Sequence, residues 1–184
     1  TPVVLRAVEG LDAQVLVRLP LVGASDLGDY RPPPNVFFDE PANSPDFTEV
    51  HLSREADRHL ADSLYHADVV VTCASTMIID AAVFDKPIVL VGIDAAPRPY
   101  GASIRQYYDY AHQRRILETA GVSLARTPAE LAERVRAYLA KPSLDAAGRE
   151  MIRREYCGVL DGKAGERLAA VLLAHCGDGT TMGA

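Results

Sequence analysis

A chain of 184 residues, 48% hydrophobic and 24% charged, carries enough apolar material for one packed domain, which excludes disorder as its description. Its net charge of −6 and pI of about 5.3 disfavour a general nucleic-acid or anionic-membrane surface, because both want a basic footprint. The cysteines, Cys73, Cys157 and Cys176, lack CxxC spacing, so they read as reduced thiols of a cytoplasmic protein with no zinc motif.

Other broad classes fall away on similar grounds. Trp is absent, which argues against a stacking platform for single-stranded nucleic acid. The apolar runs are too short to cross a bilayer. Thr1 is not a natural start and no signal pattern follows it, so a fragment of a longer protein is expected.

Short apolar runs alternate with amphipathic stretches along the chain. Gln14–Leu19 and Asn35–Phe38 read as strands. The loop-like segments Gly23–Pro34 and Glu40–Pro45 are rich in turn residues. From His51 to His66, Leu52, Ala56, Leu60 and Leu64 recur at helical spacing. Asp68–Cys73 is a β-branched run, expected as a strand buried on both faces. A helix over Ser75–Phe84 and a buried strand over Pro87–Ile93 follow.

The second half is mainly helical. Ile104–Ala120 reads as a helix broken near Asp109, and Val122–Ala125 as a last edge strand. Thr127-Pro128-Ala129-Glu130 is a capping-box helix start, with Leu131, Val135, Tyr138 and Leu139 as the buried stripe and Lys141-Pro142 as the stop. Helices over Leu144–Tyr156 and Lys163–His175 complete the order. Strand and helix alternating at this spacing predict an α/β fold, a Rossmann-like parallel sheet flanked by helices. The expected domain spans residues 1–176, with 177–184 as a flexible tail.

In such a sheet, ligands bind beyond the carboxyl ends of the strands. The turn Cys73-Ala74-Ser75-Thr76 is therefore the first candidate site. Its small residues allow close backbone approach, and exposed amides with the Ser75 and Thr76 hydroxyls suit a diphosphate. Asp80, one turn into the helix, suits ribose hydroxyls. The simpler alternative is that Ser75 or Thr76 only caps the helix.

The second candidate is Asp94–Arg115, which follows the next strand. Its tyrosines, Tyr107 among them, suit stacking on a base. Arg105 and its neighbouring arginines suit phosphate, and His112 is the candidate acid or base. An amphipathic helix with a solvated charged face explains the same residues. Asp109 and His112 have a spacing that suits a metal, but with no third ligand no metal is expected. Arg18, ending the first strand, points either into the same crevice or to an edge pairing with solvent or Asp12. Asp161 reads as a cap, with a weaker phosphate role for Lys163. His51, His59, His66 and His175 have no partner pattern.

The run from His66-Ala67-Asp68-Val69-Val70 through Ser75-Thr76 and Asp80 to Asp85-Lys86-Pro87-Ile88-Val89 resembles the C-terminal domain of GT-B glycosyltransferases. Within them it is similar to the group spanning CDP-glycerol glycerophosphotransferases and bacterial surface-carbohydrate enzymes. Tyr107–His112, Leu160–Arg167, and the Arg18 strand followed by Asn35-Val36 resemble the same group. The likeness runs from about residue 14 to 174.

The resemblance implies one half of a GT-B fold that binds a nucleotide-diphosphate donor as substrate, without a cofactor. Ser75 and Thr76 would meet the phosphates and Asp80 the ribose. The resemblance also implies transfer of a sugar or polyol-phosphate unit to a surface-glycan precursor, an N-terminal acceptor domain beyond this chain, and peripheral membrane association of the full enzyme. Two departures matter. Related polymerases carry Arg-x-His-Pro after the first strand, whereas this chain reads Arg18-Leu19-Pro20-Leu21, so that histidine's role has no residue here. The length also fits one Rossmann-like half, so the chain is expected to bind nucleotide and turn over little alone. The rival readings are a nucleotide-sugar 2-epimerase relative and a non-catalytic nucleotide-binding module.

Overall fold

The computed structural model describes residues 2–20, 26–39 and 53–177. The elements in order are α1 (Pro2–Val8), β1 (Val15–Arg18), β2 (Val36–Asp39), α2 (Arg54–His66), β3 (Val70–Thr72), α3 (Met77–Val83) and β4 (Ile88–Val91). Two 3₁₀ segments follow, Tyr100–Ala102 and Ile104–Asp109. Then come α4 (Ala111–Glu118), β5 (Ser123–Ala125), α5 (Pro128–Ala140), α6 (Ala146–Tyr156) and α7 (Ala164–Gly177). The predicted positions His51, Leu52, Gly23, the Glu40–Pro45 loop and residues 178–184 of the tail lie outside the described residues.

All strand pairing among the described residues is parallel, and the fold is the expected Rossmann-like α/β arrangement. The hydrogen bonds fall into two ladders, β1-β2 and β3-β4-β5, rather than one continuous sheet. Val15, which opens β1, and Val69, just before β3, pack against the same core cluster, so packing links regions that no ladder joins among the described residues.

β4 organises both cores through its alternation. Ile88 and Leu90 face one cluster with Ile78, Ala81 and Ala82 of α3, Ile116 of α4 and Ile152 of α6. Val89, on the opposite face, joins Val8 of α1, Leu11, and Leu131, Val135 and Tyr138 of α5. Strand side chains alternate between faces, so a continuous apolar run is what a strand covered on both sides requires. β3 departs from that expectation. Val71 is 36% exposed, because β3 is at the edge of its ladder.

α5 starts as its capping signal predicts. The Thr127 hydroxyl accepts from the Glu130 amide at 3.1 Å. The Glu130 carboxylate reaches the Arg126 amide at 2.8 Å, one residue earlier than a standard box. The break near Asp109 is real: Tyr110 is extended, between the 3₁₀ segment and α4. α1 was not predicted. It is short and carries no acidic residue in its first turn, and packing of Leu5 and Val8 holds it. Asn35 ties the region together by donating to the Glu9 and Ala13 carbonyls at 3.1 and 3.0 Å. α7 is the opposite case: Leu168, Val171, Leu172 and Leu173 are all exposed.

Candidate functional site

The turn after β3 leaves its polar groups open. Thr76 is the residue before α3, yet its side chain makes no capping hydrogen bond. The Ser75 hydroxyl lies 3.2 Å from that of Thr72, and its carbonyl accepts from the Ile78 amide at 3.3 Å. Among the described residues, the Ser75 and Thr76 amides have no acceptor. Cys73, Ser75 and Thr76 are exposed, while Ala74 packs against the α3 core. The capping alternative therefore does not account for these hydroxyls. α3 is only seven residues long, so the local donors matter more than any macrodipole.

The segment after β4 is braced internally by Asp94 and Ser103. Asp94 accepts from the Ser103 hydroxyl at 2.6 Å and from the Ile104 amide at 2.9 Å. The Ser103 hydrogen bond first, then the Ile104 amide, hold the Asp94 carboxyl below its ordinary range, with smaller help from the Arg105 and Arg98 charges. Ser103 in turn accepts from the Arg105 amide at 3.1 Å, which starts the second 3₁₀ segment.

Tyr108 then turns inward. It is buried, and its hydroxyl donates to the Val91 carbonyl at 2.7 Å, at the carboxyl end of β4. Burial foremost, and the neighbouring Cys73, push this hydroxyl's pKa well above the ordinary tyrosine value, and the Ala74 backbone opposes them. Tyr108 thus joins three places: the 3₁₀ segment, the end of β4 and the Cys73-Ala74 turn. Its neighbours Tyr107 and Tyr110 face outward, together with Arg105.

The remaining predicted residues divide. His112 is exposed at the start of α4, with its ring 6.0 Å from that of Tyr110. Asp109 accepts from the Tyr100 hydroxyl, and no group of three metal-ligating side chains exists among the described residues. Asp80 lies in the first turn of α3 and lines a cleft with Asp57, Leu60, Ala61 and Leu64 of α2. Burial there pushes its carboxyl above its ordinary value. Arg18 pairs with Asp39, its neighbour across β1 and β2, at 2.6 Å, rather than with Asp12. His59 of α2 reaches the same Asp39 oxygen at 3.1 Å. Asp161 accepts from the Lys163 amide at 2.9 Å and from Arg167, so it acts within its own turn.

Asp94 and Tyr108 fall within the second candidate segment, but their parts as braces do not follow from the sequence, and Arg149 escapes sequence reading altogether. Arg149 is 1% exposed and bonds Asp85 and two backbone carbonyls at the amino end of β4, away from the candidate turn. Asp94 had a signal, since an acidic residue just past a buried strand is placed to bind the amides of the following loop. The ring order in Tyr107-Tyr108-Asp109-Tyr110 gives no comparable clue as to which tyrosine turns inward.

Comparison with known proteins bears on the whole of this arrangement. The family model described as CDP-Glycerol:Poly(glycerophosphate) glycerophosphotransferase matches residues 38–174, which contain β3, β4 and both candidate segments. No curated protein and no solved structure matches the chain.

Proposed function

The chain belongs to the CDP-glycerol:poly(glycerophosphate) glycerophosphotransferase family, and from that premise we propose that it forms the donor-binding half of a GT-B transferase. The donor is a CDP-polyol: its polyol and β-phosphate pass to an acceptor hydroxyl as one polyol-phosphate unit, and CMP is the leaving nucleotide. The acceptor is a surface-glycan precursor held by an N-terminal domain. The observation that carries this reading is the open turn at Ser75 and Thr76, with two hydroxyls and two amides that have no acceptor among the described residues, at the carboxyl end of β3.

Those donors bind the diphosphate and stabilise negative charge as the leaving nucleotide departs. Arg105, exposed on the neighbouring segment, supplies a positive charge. Asp80 takes ribose hydroxyls, and His112 is the acid–base candidate. Arg18 contributes by orienting the β1–β2 edge through Asp39. The full enzyme works from the cytoplasm at the membrane surface, where its polymeric acceptor grows.

Thermal denaturation with CDP, UDP, GDP and ADP, for the wild type and Ser75→Ala, tests this reading. Ligand that binds only the folded state raises its midpoint; at a concentration 100 times Kd the gain is about 2.7 kcal/mol. CDP is expected to give the largest rise, and Ser75→Ala to reduce it. No rise with any nucleotide at millimolar concentration would remove the donor-binding reading.

A further inference from the structure

The segment after β4 exposes aromatic rings. Tyr107 and Tyr110 are 46% and 47% exposed, on either side of the buried Tyr108. Their rings meet edge to face, with centroids 5.7 Å apart at 83°. The His112 ring is tilted at 44° against Tyr110. The contact between Tyr107 and Tyr110 restrains both rings and leaves exposed ring area for a ligand.

The backbone under these rings is fixed. The Tyr110 carbonyl accepts from the Gln113 and Arg114 amides, each at 2.9 Å. Asp94 holds the start of the same segment, and Tyr108 pins its middle to β4. Fixed aromatic rings bind a flat ligand with little ordering cost. β4 is the ladder neighbour of β3, and Tyr108 packs in the core cluster that Ala74 joins, so the segment carrying the rings follows the strand next to the Cys73-Ala74 turn.

We propose that Tyr107 and Tyr110 form the nucleobase subsite of the donor, with one base lying on the ring area they expose. The inference rests on the donor-binding reading above and adds to it the part of the donor that these rings recognise. Stacking on a π-face tolerates any base, so the ledge contributes affinity for a nucleoside and not selection of cytosine. His112 contributes the rim of the ledge, which is distinct from its acid–base assignment.

Titration calorimetry on the whole chain separates the two ideas, with CDP and inorganic pyrophosphate as probes. The variants are Tyr107→Leu, Tyr110→Leu and the conservative Tyr110→Phe, with Ser75→Ala as the phosphate control. A lost base–aromatic contact corresponds to about tenfold weaker binding. Each Leu variant is expected to weaken CDP by about that factor and leave pyrophosphate unchanged, while Tyr110→Phe retains CDP.

Leu variants that keep the wild-type CDP affinity overturn the ledge, and so do Leu variants that lose pyrophosphate and CDP equally. Pyrophosphate binding that depends on Ser75, with no added affinity from the base, overturns the ledge and leaves the donor reading standing. A wild-type chain that binds neither probe overturns both.

Discussion

The two ends of β4 are built for different purposes. At the amino end, Asp85 sits in the left-handed region with φ of 54° and takes the buried Arg149 at 2.9 Å. Arg149 also donates to the Leu144 and Pro142 carbonyls at 2.5 and 3.0 Å, so one side chain locks the approach to α6 against the turn before β4. At the carboxyl end, Asp94 and Tyr108 bind backbone and hydroxyl groups, and the side chains around them face solvent. One end spends its polar groups on burial. The other fixes a backbone and leaves functional groups free. Rigid support beneath an open site is what a binding constellation requires.

The contrast is broken most severely at the amino end. The backbones of Gly121 and Gly148 touch where α6 crosses the start of β5. A Cβ on Gly148 would lie 2.3 Å from the Gly121 nitrogen and 2.4 Å from the Ala120 carbonyl carbon. Backbone cannot yield as a flexible side chain can. Gly148→Ala is expected to cost about 3 kcal/mol, at the upper end of ordinary overpacking. Chemical denaturation measures the loss, and an unchanged midpoint would show that α6 can move.

Arg149→Met is the next largest effect. It removes a buried charge together with three hydrogen bonds, and leaves the Leu144 and Pro142 carbonyls without their donor. A loss of about 2 kcal/mol is expected, less than for a fully buried pair because Asp85 is 49% exposed and can hydrate. Nucleotide affinity per folded molecule should stay at the wild-type value. A parallel fall in both stability and affinity would erase the distinction between the two ends.

At the carboxyl end, Tyr108→Phe deletes one hydroxyl from a buried ring. The Val91 carbonyl loses its 2.7 Å partner, and about 1 kcal/mol of stability goes with it. The larger consequence is expected in binding: the 3₁₀ segment loosens, and CDP affinity falls more than stability does. Urea denaturation and calorimetry on the same sample compare the two losses. A variant that loses stability alone would make Tyr108 a core residue like any other.

The same contrast explains what the sequence could disclose. Ile88, Val89 and Leu90 announce a strand buried on both faces because apolar continuity is a local property. Thr127 and Glu130 announce a helix start for the same reason, since a cap is written within four residues. The candidate turn at Ser75 and Thr76 was legible because it follows a strand and precedes a helix. The locks were not. Arg149 meets Asp85 across 64 positions of chain, and nothing near either residue signals the other. The division of Tyr107, Tyr108 and Tyr110 into outer and inner rings depends on where the Val91 carbonyl lies. α1 escaped notice because its helix is secured by contacts to α5, not by its own sequence.

The smallest expected effect separates two carboxylates whose pKa values are displaced in opposite directions. Hydrogen bonds depress Asp94, so its contribution is present above the ordinary carboxylate range and is lost as pH falls through its lowered folded value. Partial desolvation at the α2–α3 cleft raises Asp80, so the folded state holds its proton more firmly than the unfolded chain does. Its cost is absent at low pH, grows as pH climbs from the ordinary value to the raised one, and is complete at neutral pH. Asp80→Asn removes that cost. Asp80 is exposed, so solvent screens the effect, and the midpoint at pH 7 should rise by about 1 °C. At a pH below the ordinary aspartate value the two proteins should melt together. If Asp80 also meets the ribose, the same variant binds CDP more weakly while standing heat better, because a group kept against a stability cost is then kept for its ligand. A variant that gains stability and keeps its CDP affinity would leave the α2–α3 cleft as the whole environment of Asp80 and take the residue out of the donor site.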